Sequence, residues 1–218
     1  LNVNILFDFI TQHGVYYVGF VFAGLIVGAA VGATGVGGGS LMTPILIMLF
    51  NVHPAKAVGT DLLYAALTKS FGVWLHRTKK TINTTVLFWL ALGSLPASAL
   101  TLIFLHFSDN NAFKSKTMVV TLAIMIIATG LFTLYQTILK PRERVISHTP
   151  EPTWLIHSRP LLTLLLGAMV GTTVTLSSVG AGAIAASLLL VMYNRLPTVM
   201  IVATDIAYAI PLTLLAGL

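Results

Sequence analysis

Six stretches of this chain run for roughly 20 residues with almost no charge, and at 1.5 Å per helical residue about 20 apolar residues cross a bilayer core. They are Tyr16–Ala33, Ala57–Leu75, Val86–Leu105, Met118–Leu139, Leu161–Leu176 and Thr198–Leu218. Two further apolar stretches, Leu41–Val52 and Ala183–Tyr193, are too short to cross, and each follows a glycine-rich break. In hydrocarbon every backbone N–H and C=O needs a partner within the protein. The expected fold class is therefore all-α, a polytopic transmembrane helical bundle with glycine-broken helices.

Composition agrees: 56% of residues are apolar, 8% are charged, and the mean hydropathy is +0.93. A soluble domain carries about a quarter of its residues as charges. The net charge of +6 does not point to nucleic acid, because the basic residues sit in short clusters beside apolar spans. Arg77, Lys79 and Lys80 form one cluster and Lys140, Arg142, Arg144 and Arg159 another. The excess of basic residues in cytoplasmic loops places both inside. There is no Cys, which excludes disulfides, thiolate metal sites and Cys nucleophiles. Leu1–Gly14 lacks Lys, Arg and a small-residue cleavage pattern, so the first span is expected to be retained.

Gly24–Ser40 aligns without gaps on Gly167–Ala183, with Gly24, Val27, Gly28, Val31, Val36, Gly37 and Gly39 opposite Gly167, Val170, Gly171, Val174, Val179, Gly180 and Gly182. Asn51 and Pro54 then face Asn194 and Pro197. After one inserted residue, Thr60, Asp61, Tyr64 and Ala65 face Thr204, Asp205, Tyr208 and Ala209. The chain thus divides into a first transmembrane repeat (15–140), a cytoplasmic linker (141–160) and a second repeat (161–218). About 75 residues follow Ala65 in the first repeat, but only nine follow Ala209, so the second is expected to be truncated or to lack two helices. Repeats with interrupted helices are a transporter architecture, with the substrate near the midplane where the halves meet. Whether Leu41–Val52 crosses or turns back is open; an N-terminus free of Lys and Arg favours starting outside, with five crossings and inverted halves.

The breaks read Gly35, Gly37, Gly38, Gly39, Ser40 in one copy and Ser177, Ser178, Gly180, Gly182 in the other. An interrupted helix presents free N–H groups with partial positive charge, a natural anion partner. The blander reading is close helix packing, which is preferred for Gly24, Gly28 and Gly32, spaced four apart. The first break is not a phosphate-binding loop, since Gly39 stands where Lys is required, and its spacing is not that of a dinucleotide fingerprint.

Asp61 and Asp205 lie inside apolar stretches at matched repeat positions, and acids at such depth are functional candidates. Each could instead cap a half-helix or tie the halves together. Thr60, Tyr64 and Thr68 form a polar stripe with Asp61, mirrored by Thr204 and Tyr208 around Asp205. Lys69, opposite Thr213, is the basic residue near mid-span and is either an ion-pair partner for an Asp or an attractive charge for substrate. The candidate substrate-binding set is Gly37, Gly38, Gly39, Ser40, Thr60, Tyr64, Lys69, Ser178, Gly180, Gly182, Thr204 and Tyr208, with Asp61 and Asp205 as proton-coupling acids. His13, His53, His76, His106, His148 and His157 lie in loops or at span ends without metal-ligand spacing, and Trp74, Trp89 and Trp154 suit interface anchors. No metal or other cofactor is implied, and no nucleophile and base are spaced as an enzyme would need.

These residues carry a resemblance. GATGVGGGSLMTPILI at Gly32–Ile47, HPAKAVGTDLLYAALTKSFG at His53–Gly72, HRTKKT from His76 and the terminal TDIAYAIPLTLLAGL are similar to the TauE/SafE family of membrane permeases. The resemblance covers most of the chain and is weak in the linker. It implies seven or eight spans in the bacterial inner membrane and movement of sulfite, sulfoacetate or related anions. It also implies two further spans after Leu218. Ala203 departs from Gly59, and SSVGAG departs from the run of glycines. The favoured function is proton-coupled export of sulfite or an organosulfonate, with the bilayer and a small anion as partners and a homo-oligomer left open. A passive anion channel using the breaks as a filter and a non-transport assembly role are the alternatives.

Overall fold

The computed structural model describes residues 14, 18–30, 38–76, 82–108, 110–139, 153–180, 182–193 and 196–217. Among them the regular structure is helical. Helix α1 covers Val18–Ala30, and a 3-10 turn at Gly38–Ser40 leads into α2, Met42–Met48. Then come α3 (Pro54–His76), α4 (Thr84–Phe107), α5 (Asn111–Leu139), α6 (Thr153–Ser177), α7 (Ala183–Met192) and α8 (Thr198–Gly217). Helices α4, α5, α6 from Arg159 and α8 are long and apolar enough to cross a membrane. Helix α3 has 23 residues and matches their length while carrying Asp61 and Lys69. Helix α6 begins at Thr153, inside the expected linker. Arg77, Lys79, Lys80 and most of that linker lie outside the described residues.

Many large apolar side chains face outward, among them Phe22, Leu67, Phe71, Phe104, Ile127 and Met169. In water such a surface would be a severe aggregation hazard; against lipid it is the expected exterior. The interior is held by small residues. Helices α4 and α6 run parallel, with Leu90 opposite Gly167, Ser94 opposite Gly171 and Ser98 opposite Thr175. A Cβ on Gly167 would lie 2.5 Å from the Leu90 carbonyl oxygen, and Gly93 and Gly171 meet the Leu164 and Ser94 backbones more closely still. This is the close approach that small residues four apart permit in a membrane. It is tied by a buried 2.7 Å hydrogen bond between the Ser98 and Thr175 hydroxyls.

The two short helices turn back. At the end of α2, Phe50 stacks on Phe20 near the start of α1, with ring centroids 4.2 Å apart, and Val27 packs on Met42 and Leu46. At the end of α7, the Tyr193 hydroxyl bonds Thr163 Oγ1 at 2.8 Å near the start of α6, and the Arg159 guanidinium lies 5.5 Å above the Tyr193 ring. Each pair is a helical hairpin that returns the chain to the end of the bundle from which it came. By length alone α6 would cross, but the chain folds back through Ser178–Gly182 into α7.

Helices α3 and α8 pack antiparallel, with Gly59 beside Gly217 and Gly72 beside Ile206. The α3 start is tied to the α5 start by a 3.0 Å hydrogen bond between His53 Nε2 and Ser115 Oγ. The α4 start is tied to the α8 start by Asn83 N–H donating to Thr204 Oγ1 at 2.9 Å. The α1–α2 hairpin therefore opens at the end of the bundle where α3 and α5 begin. The α6–α7 hairpin opens at the opposite end, where α4 and α8 begin. The ends of α3 and α5 and the starts of α4 and α6 share that second end, in keeping with basic clusters gathered on one face. Three helices that run the length of the bundle, α3, α4 and α5, precede the linker among the described residues, where five crossings are expected from the sequence. The parity is the same because the first two helices together make none.

Candidate functional site

The hairpin tips meet. A Cβ on Gly39 would overlap the Ser178 carbonyl, so the backbone of the first break lies directly on that of the second. Ser178 adopts φ 60° and Gly180 φ 122°, both left-handed, which lets the chain leave α6 and re-enter α7 within a few residues. The Ser177 hydroxyl braces this turn, accepting a hydrogen bond from Val179 N–H at 3.3 Å. Gly182 is the α7 N-cap and offers no side-chain oxygen, so the first turn of α7 keeps backbone N–H groups turned toward the tip.

Asp61 lies at this junction. It is fully buried, and Thr43 of α2 donates a hydrogen bond to its Oδ2 at 2.8 Å. The Ser178 hydroxyl comes close enough to interact with the carboxylate without closing a hydrogen bond of ordinary geometry. Asp61 Oδ1 and Ser178 Oγ have no hydrogen-bond partner among the described residues. Asp61 on α3 thus sits at the break between α6 and α7. Thr43 was not among the sequence candidates; its repeat counterpart is Ala186, so comparing the two copies gave no signal for it.

Lys69 lies eight residues further along α3, roughly 12 Å. It is half-buried and interacts electrostatically with both acids, with Asp205 more strongly than Asp61. Asp205 is buried on α8, and its Oδ1 has no partner among the described residues. Tyr208, one turn on, is fully buried beside Asp205 with its hydroxyl likewise unpartnered. Lys69, Asp205 and Tyr208 thus lie together along α3 and α8 with Asp61 at the hairpin tips, and each unpartnered buried polar atom there costs about 1–3 kcal/mol if nothing else satisfies it.

The remaining candidates are less gathered. Thr60 is exposed and donates to the Lys56 carbonyl at 2.7 Å, and Thr68 is exposed and bonded to its own helix, so the polar stripe on α3 is not one buried face. Tyr64 reaches toward α1, its hydroxyl 3.5 Å from the Gly24 carbonyl. The Thr204 hydroxyl is engaged by Asn83 N–H and by the Met200 carbonyl at 2.7 Å. Gly38 and Ser40 form the 3-10 turn with Gly39, and Gly37 lies outside the described residues.

Antiparallel hairpins meeting inside an apolar bundle, next to buried acids and a lysine, define a polytopic membrane protein whose polar interior is unlike that of a structural anchor. The chain matches the family model described as sulfite exporter TauE/SafE over residues 20–218, and it belongs to that family of membrane transporters. It is similar to the probable membrane transporter protein YjnA of Bacillus subtilis, with 36% identity over 202 residues covering 92% of this chain and 78% of that protein. It is also similar to the probable membrane transporter protein YunE of the same organism, with 31% identity over 111 residues covering 51% of this chain and 39% of that protein. No solved structure matches the chain.

Proposed function

We propose that this transporter exports a small sulfur oxyanion, sulfite or an organosulfonate, across the bacterial inner membrane, and that a proton on Asp205 is coupled to the anion at Lys69. The observation that carries the reading is the placement of Lys69 between two buried carboxylates of opposite halves. With Asp205 ionised, the Lys69 ammonium is held by that carboxylate. A proton on Asp205 removes its pull on the Lys69 ammonium and lets an incoming anion supply that negative charge instead, with the Tyr208 hydroxyl as a donor beside Asp205. The N–H groups at the start of α7 add partial positive charge from the tip. The trigonal oxygen array of sulfite or a sulfonate suits several separate donors. The antiparallel α3–α8 pair supports inverted repeats rocking about this seam, with the outward anion gradient as driving force.

The test is flux of labelled sulfite, sulfoacetate and sulfate through proteoliposomes, with and without a pH gradient. Saturable flux of one anion that responds to the gradient, and that loses this response in Asp205→Asn, supports the reading. No flux above empty vesicles with folded, full-length protein removes the sulfur-anion assignment.

A further inference from the structure

The two buried acids have different neighbours. Asp205 has a tethered cation, Lys69, across the α3–α8 seam. Among the described residues, the side chains that reach the Asp61 carboxylate are hydroxyls, Thr43 at 2.8 Å and Ser178 at the hairpin tip, while Lys69 acts on it from further along α3. The repeat positions that would supply the same hydroxyls to Asp205 are Ala186 and Gly35, so this oxygen cluster exists on one side only. Three side chains from three elements, α2, α3 and the turn after α6, converge there, and both Asp61 Oδ1 and Ser178 Oγ are buried without a hydrogen-bond partner among the described residues. Hydroxyl and carboxylate oxygens around one buried negative charge suit a hard cation of single charge. A divalent ion would leave an uncompensated positive charge in the apolar interior.

We infer that Asp61, Thr43 and Ser178 form a binding site for Na⁺, in which the ion takes at Asp61 the place that the Lys69 ammonium takes at Asp205. The ion would bridge the first half, through Asp61 and Thr43, to the second, through Ser178. Its occupancy would hold the two hairpin tips together and stabilise one arrangement of the halves. The purpose of the site, a coupling ion beside the anion, rests on the transporter reading. Its existence does not, because binding is measurable without flux.

Among the described residues, the charged group that acts on Asp61 is Lys69 on α3, and Lys69 in turn interacts with Asp205 on α8, beside Tyr208. The experiment is binding of radioactive Na⁺ to the purified full-length protein in detergent at pH 8, with unlabelled Na⁺, K⁺ or choline as competitor. Saturable binding displaced by Na⁺ and not by choline is expected. It should weaken tenfold or more in Asp61→Asn and in Ser178→Ala, and persist in Thr60→Ala, whose side chain is exposed and bonded to its own helix. Each variant is checked by gel filtration for a monodisperse peak, and the conservative Thr43→Ser, which keeps the oxygen, should bind within about threefold of wild type. Absence of saturable Na⁺ binding by folded wild type overturns the proposal and leaves Asp61 as a proton site. Equal loss in Thr60→Ala overturns the assignment to Asp61. Anion flux that persists without Na⁺ binding would sink this site and leave the transporter reading intact; Na⁺ binding without anion flux would do the reverse.

Discussion

Replacing Gly39 by alanine tests the contact between the hairpins at its tightest point. The added Cβ would overlap the Ser178 carbonyl and lie 3.1 Å from Ser178 Oγ. The obstacle is backbone, so no rotamer change relieves it and the tips must separate. Overpacking of a well-packed site costs about 1–3 kcal/mol. Gly130 on α5 is the internal control, because a Cβ there meets nothing within 4 Å and alanine should gain about 1 kcal/mol of helix propensity. The two variants should therefore differ by about 2–4 kcal/mol, or roughly 4–16 °C in melting temperature for a chain of this size. The assay is thermal unfolding in detergent, followed by fluorescence of the tryptophans. Gly39→Ala should also lose anion flux, since Asp61 and Ser178 would part. If Gly39→Ala melts with Gly130→Ala and transports normally, the tips do not touch as described.

Four further outcomes follow from the same geometry. Gly171→Leu should lower the melting temperature by more than 5 °C and reduce expression in the membrane, because its side chain has only the Ser94 backbone in front of it. Asn83→Ala removes the oxygen that accepts from Thr85 and Val86 N–H at 3.1 and 3.2 Å, and thermal unfolding should show a loss of about 1 kcal/mol with flux retained. Lys69→Gln should reduce anion flux at least tenfold in proteoliposomes while the protein stays folded, whereas Thr60→Ala, on the exposed side of α3, should change flux less than twofold. Thr43→Val leaves a buried carboxylate without its donor and should cost about 1–3 kcal/mol in the same unfolding assay.

Much of the architecture was legible because lipid leaves so few options. The apolar runs place α3, α4 and α8 within a few residues of their observed ends, α5 starts at Asn111, well before the apolar run at Met118, and the glycine breaks mark where α6 stops and α7 begins. The direction of the short helices was not legible. A ten-residue apolar helix has the same composition whether it continues across or folds back, and the decision rests on distant contacts such as Tyr193 with Thr163 and Phe50 with Phe20. The acids and Lys69 stood out because charge is rare in an apolar run. The hydroxyls were harder. Thr60 lies about 100° round the helix from Asp61, and Thr68, close in azimuth, lies about 10 Å further along where the helix is exposed. Thr43 carries no signal in the sequence, because the aligned position in the second copy is Ala186. The features that make the two acids unequal are those a repeat comparison is blind to.

Everything rests on two hairpins that open at opposite faces and meet inside. The chain has no Cys, so each introduced thiol is the sole target of a membrane-impermeant maleimide in intact cells. Single substitutions Val18→Cys and His53→Cys report the two ends of the first hairpin, and Pro197→Cys reports the exit of the second; all three side chains are exposed. The account predicts labelling from outside at Val18 and His53 alike, and labelling at Pro197 only after the cells are opened. Labelling of Val18 and His53 from opposite sides, or of Pro197 from outside, would mean that a short helix crosses the membrane, and the opposed hairpins would have to be abandoned.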